Sequence, residues 1–138
     1  MVTETLANLR KGEKNLKLIT MNARVDFNIA KLLKEKGYDN ESSHFYNKEG
    51  MGRYDRDYPS IYNTKGDYYC DMPTVSDTVM WIYSKHGIWI WVSMELGYTN
   101  TFCWQLTGEH TSSNYKAFFK TPTEAYVDAI SYTLNNLL

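Results

Sequence analysis

The chain has 138 residues, with 15 Lys and Arg against 16 Asp and Glu, for a formal net charge of −1. That balance argues against broad nucleic-acid binding, which needs a basic stripe, and the length fits one domain able to bury a core without staples. No apolar run approaches the ~18 residues of a membrane span, and the opening MVTETLANLRKGEKNLK lacks the apolar middle of a signal peptide, so the chain is expected to act in the cytoplasm.

Residues 1–20 are polar and weakly patterned. Leu16, Leu18 and Ile19 suit either a short strand or a loosely packed tail. The first clear element is DFNIAKLLKEKG, a helix expected over 27–36. Asp26 supplies the N-cap oxygen, Ile29, Leu32 and Leu33 make the stripe with Val25 before it, and Lys34 and Lys36 favour the C-terminal end of the dipole. Gly37 suits the left-handed turn that ends it.

Residues 38–70 are rich in Gly, Asn, Asp and Tyr. HFYN and GDYYC read as short strands, with KEGMG a turn after the first. Met51 to Lys65 has no clean period and is expected to be a long loop within a variable segment, 50–65; loops of that length in small domains are often functional or mobile.

Thr74 and Asp77 form a capping box, Val75, Val79, Ile82 and Tyr83 a stripe, and Gly87 a stop, which predicts a helix over 75–86. Ile88 to Val92 is then an unbroken apolar run rather than the alternation of a half-buried strand. It opens a strand over 88–95 that turns at ELGYTN and returns over 101–108. Period two puts Ile88, Ile90 and Val92 on an aliphatic face and Trp89 and Trp91 on the other. The partner strand carries Phe102 and Trp104 on one face and Cys103 and Gln105 on the other. A third strand is expected at 115–119. Thr121, Pro122 and Glu124 then open a last helix over 122–136, with Tyr126, Ala129, Ile130, Thr133, Leu134 and Leu137 as its buried stripe.

The order predicts an α+β fold: a single small domain with an antiparallel sheet of three to four strands and about three helices packed mainly on one face. The helices are too few to cover both faces, so the aliphatic face goes to the core. The aromatic face is left for a second copy or a pocket, and a homodimer across it is the expectation.

AKLLKEKGYD, PTVSDTVMWIYSKHGIWIWV and TPTEAYVDAISYTLNNLL together resemble a group of small accessory proteins of gut Bacteroidales and their phages and mobile elements. The likeness runs from about residue 25 to the end. Its marks are the K-H-G-I-x-I junction, Lys85 to Ile90, and the T-P-T-E-A-Y helix, Thr121 to Tyr132. These are caps, a stop glycine and helix stripes, so the resemblance implies a setting and carries over no site residues.

Chemistry-bearing patterns are sparse. Cys70 and Cys103 stand far apart without a CxxC and are expected to be reduced and buried rather than paired. His86 ends a helix and reads as a C-terminal cation, while His44 and His110 lie in loops, so neither a metal nor a cofactor is expected. Asp55 with Asp57, and Asp67 with Asp71, read as solvated turn carboxylates. Gly50-Met51-Gly52 opens no helix and is no phosphate cradle. The chain is therefore expected not to be an enzyme.

The suggestive stretch is GMGRYDRDYPSIYN. Arg53 and Arg56 alternate with Tyr54 and Tyr58, pairing phosphate-clamping guanidiniums with rings that stack on a base. Asp55 and Asp57 offset the charge, which is the plainer reading of a balanced loop. Together with Trp89, Trp91 and Trp104 as a stacking platform, these residues define the expected ligand site. The function they suggest is sequestration of a small polar, nucleotide-like molecule, by analogy of size and setting with phage proteins that sponge up defence signals. The alternative is a protein–protein module that inhibits a host protein.

Overall fold

The computed structural model describes residues 22–40, 42–54, 68–95, 101–108 and 114–138. Helix α1 spans Phe27–Glu35, and the Ile29 N–H donates to the Asp26 carboxylate at 2.9 Å. Helix α2 spans Val75–His86 with both halves of its capping box made: the Asp77 N–H donates to Thr74 Oγ1 at 3.0 Å, and the Thr74 N–H to Asp77 Oδ2 at 3.4 Å. Gly87 closes it at φ 68°, a conformation that suits a residue without Cβ. Helix α3 spans Pro122–Asn136, with Thr121 accepting from the Glu124 N–H. The Glu124 side chain reaches past the cap to the Lys120 N–H at 3.2 Å, so its capping box is displaced by one residue.

Among the described residues, six strands form two sheets rather than one. His44–Tyr46 (β1) pairs antiparallel with Gly52–Tyr54 (β2) and with Cys70–Asp71 (β3), in the order β2-β1-β3. Trp89–Met94 (β4), Phe102–Thr107 (β5) and Tyr115–Phe119 (β6) form an antiparallel meander. The class is α+β as the element order implies, but the expected single sheet is divided.

The division follows from the packing. Helix α3 lies across the inner face of β4, β5 and β6, α1 packs on α3 and on β3, and α2 fits against β4 and α3. Phe27 of α1 meets Tyr46 and Tyr69, at ring centroid distances of 5.4 and 5.9 Å, so the smaller sheet closes on α1. Gly50, in the β1–β2 turn at φ 83°, lets that turn approach Phe27; a Cβ there would sit 2.8 Å from its ring. The core joins Ile29 and Leu33 of α1, Val75, Val79 and Ile82 of α2, Ile88, Ile90 and Leu106 of the sheet, and Ala129, Ile130 and Leu134 of α3.

Candidate functional site

Strand parity separates the two faces of the larger sheet. Ile90 is opposite Leu106, and Val92 is opposite Trp104, so all four point inward under α3. Trp89 is opposite Thr107, Trp91 opposite Gln105 and Ser93 opposite Cys103, and these point outward. Tyr115 joins the outer row through its pairing with Gln105. Trp89 and Trp91 remain 38% and 47% exposed. Tyr83 of α2 meets Trp89 edge-on at 5.3 Å, and Met80, one turn earlier, is exposed beside it. The outer face is thus a row of rings running from α2 across β4 to β6.

Trp104 does not belong to that row. It is 2% exposed, lies against Tyr132 of α3 at 5.3 Å, and its indole N–H donates to Asp128 Oδ2 at 2.9 Å. Lys116 approaches the same carboxylate at 3.6 Å. The register that sets Trp104 opposite Val92 makes it a core residue, correcting its expected place in a ligand platform.

Arg53 and Tyr54 are exposed on β2, the edge of the smaller sheet. As neighbours in a strand they point to opposite sides, so they cannot grip one ligand from the same face. Tyr54 is occupied with His44, its ring 4.6 Å away. The element packing sets α1 and α3 between this strand and the tryptophans. Arg56 and Tyr58 lie outside the described residues, as do Asp55, Asp57, Asp67, His110 and the segment 1–20. Among the described residues of the expected site, Trp89 and Trp91 come together on one face and Arg53, Tyr54 and Trp104 do not join them.

The sequence reading missed Met80, Tyr83 and Tyr115 on the outer face. The periodicity of α2 puts Tyr83 in the buried stripe, but Trp81 takes that inward place. Its indole N–H donates to Asp39 at 3.1 Å, and its ring meets Tyr38 at 5.3 Å. Asp39 also bridges Lys85 at 3.2 Å, which with the Trp81 bond holds its carboxyl below the usual range.

Hollows among the described residues lie beside the larger sheet and between the helices. A small, mostly apolar crevice of about 110 Å³ opens beside β4, lined by Ser76 and by the apolar Val75, Val79, Met80, Trp89, Ile90 and Tyr126. A wider groove of about 510 Å³ runs between α1 and α3 over Ile29, Leu32 and Val127. Its carboxylates are engaged: Asp26 and Glu124 hold backbone N–H groups at helix starts, and Asp128 holds Trp104 and Lys116.

Both cysteines are free and buried. Burial pushes the Cys70 thiol up to about 11, so it stays protonated at neutral pH. Cys103 Sγ lies 3.3 Å from Ser93 Oγ under the outer row. Burial, then Glu95, raises the Tyr115 phenol. Among the described residues there is no group of three or more His, Cys, Asp or Glu placed to hold a metal, and no helix long and apolar enough to cross a membrane. Comparison with protein-family models, with curated proteins and with solved structures returns no match.

Proposed function

We propose that this chain is a non-catalytic binding module whose working surface is the outer face of the larger sheet and whose target is a protein. The observation that carries the reading is the ring row: Trp89 and Trp91 half exposed, extended by Tyr83, Met80 and Tyr115. Large exposed apolar patches mark interaction surfaces, and Trp and Tyr are the side chains that anchor them. The outward strand residues beside the rings, Ser93, Gln105 and Thr107, are neutral hydrogen-bonding groups suited to a protein surface.

Capture of a nucleotide-like ligand is the second reading. It needs a cation beside the stacking rings, and the described strand residues of this face include no Lys or Arg. The resemblance to accessory proteins of Bacteroidales phages and mobile elements supports a setting only, a protein made in a host cell. We read action in the cytoplasm on a host partner, and a homodimeric state, from the chain's composition and its aromatic strand face.

Native mass spectrometry of the protein purified from cells, followed by capture from host lysate with wild-type and Trp91→Ala baits, tests this. The expected result is no retained small molecule and a host protein bound by the wild type and lost with Trp91→Ala. A retained mass of nucleotide size would sink the protein-target reading and favour ligand capture.

A further inference from the structure

The ladder of the larger sheet fixes which backbone groups of β4 face outward. The Glu95 N–H donates to the Thr101 carbonyl at 3.1 Å, continuing the register that pairs Trp89 with Thr107 and Ser93 with Cys103. Hydrogen-bonded pairs alternate in an antiparallel ladder, so Trp89, Trp91, Ser93 and Glu95 turn their N–H and C=O groups toward β5. Ile90, Val92 and Met94 turn theirs away from the sheet. Among the described residues no backbone or side-chain partner takes these groups.

Natural sheets blunt their edges with charge, bulges or short strands. The opposite edge of this sheet follows the rule. Strand β6 carries Lys116, a register shift against β5 and Phe118 at φ 71°, whose N–H is taken by Glu95 Oε1 at 2.7 Å. In the smaller sheet β2 is three residues long with Arg53 at its centre, and β3 is two residues long. Strand β4, WIWVSM, has six residues and contains no charge, proline or glycine. Its pairing with β5 runs without a register shift.

We infer that β4 pairs antiparallel with β4 of a second copy, with Val92 on the two-fold axis. This rests on the reading of the chain as a homodimer, and places the joint at the sheet edge instead of across the aromatic face. In that register Val92 faces the partner's Val92, and Ile90 faces the partner's Met94. All three outward-facing residues of each copy then exchange backbone hydrogen bonds, and two meanders become one continuous sheet. The strand is uncharged, so two copies bring no like charges together.

Side chains supply an independent argument for self-pairing. Met94 is 59% exposed, an unbranched thioether with nothing to fill. Ile90 lines the apolar crevice of about 110 Å³ beside β4. Cross-strand partners share a face with Cβ atoms about 5 Å apart. The register that satisfies the backbone therefore sets the partner's Met94 at the mouth of that crevice, where a flexible thioether can fill an irregular gap. Knob and hollow both belong to this chain, and the two-fold uses each twice. The paired sheet leaves the ring rows of both copies side by side on its outer face.

Analytical ultracentrifugation with amide hydrogen exchange tests the pairing. A dimer is expected, with the Ile90, Val92 and Met94 amides protected as concentration rises, while Trp91 and Ser93 are protected throughout. Met94→Lys, at an exposed position, should keep the circular dichroism spectrum and weaken dimerisation at least tenfold. Val92→Cys should form an intermolecular disulfide on oxidation, since hydrogen-bonded pairs hold Cα atoms about 5.5 Å apart. A monomer at all concentrations overturns the inference. So does a dimer that survives Met94→Lys, fails to cross-link at 92 and dissociates with Trp91→Ala, which would place the joint on the aromatic face. Capture of a host protein through Trp91 by a strictly monomeric chain would sink the pairing while leaving the proposed function standing.

Discussion

Truncating Trp104 and truncating Trp91 should have opposite consequences, although the two residues sit on adjacent strands of one hairpin. Trp104 is 2% exposed, packs on Tyr132 and donates to Asp128 at 2.9 Å. Removing a buried indole costs about 3–5 kcal/mol in lost burial and residual cavity. Asp128 keeps Lys116 and stays partly in solvent, so its lost donor adds no more than about 1 kcal/mol. Against a total stability of about 5–15 kcal/mol, Trp104→Ala should consume a large share and lower the thermal midpoint by roughly 15 °C. Trp104→Phe keeps most of the ring bulk, loses the hydrogen bond and should cost about 1–2 kcal/mol. Trp91, 47% exposed on the outer face, should change stability by no more than about 0.5 kcal/mol on truncation. Urea unfolding followed by far-ultraviolet circular dichroism, at the lowest workable protein concentration, measures all three while keeping association out of the balance. Equal losses for Trp91→Ala and Trp104→Ala would refute the assignment of the two faces.

Gly87→Ala should destabilise by about 1 kcal/mol: the residue sits at φ 68° with no atom within 4 Å of a built Cβ, so the cost is backbone conformation alone. An unchanged melting temperature would contradict that. Thr74→Ala removes the oxygen that holds the Asp77 N–H and should cost about 1 kcal/mol, read as a lower urea midpoint at unchanged slope. Stability should also fall in alkali. Burial raises the Cys70 thiol from its ordinary 9.0 to about 11, so the unfolded chain releases the proton first; the contribution is whole below pH 9 and lost as pH climbs to 11. Tyr38, raised by burial to about 12, acts in the same direction above pH 10. Urea midpoints from pH 8 to 11 should show the decline and a shallower one in Cys70→Ala; a flat profile would refute the shift.

The helices were legible because their ends are written locally. Asp26, the Thr74–Asp77 box, Gly87 and the Thr121-Pro122 pair each act within one turn of chain, and the structure begins and ends the helices within a residue of where these marks put them. The parity of β4 was legible for the same reason. What failed depends on distant partners. Trp81 is buried because Asp39 and Tyr38, from the segment after α1, receive it. Nothing in the α2 stripe names that partner, and Tyr83 was put in its place. The face of Trp104 depends on the register between β4 and β5, where a slip of one residue would exchange the two sides of β5. Strand β2 has no signature in the sequence: three residues, glycine first, carry no period, and it is held by the turn in which Asn47 accepts from the Met51 N–H. Arg53 and Tyr54 do not share a face because strand neighbours point apart, a consequence of β2 being a strand and not a loop.

The arrangement of elements along the chain bears on how the molecule opens. Strands β4, β5 and β6 and helix α3 are consecutive in sequence and pack chiefly on one another, while the smaller sheet reaches them through α1. Such contiguous units exchange and unfold cooperatively, and peripheral ones open at lower free energy. The smaller sheet can therefore open with little disturbance to the tryptophan surface. The fold thus has two semi-independent parts: a carboxy-terminal scaffold whose strand register sets the tryptophan surface, and a smaller sheet whose opening leaves that register in place.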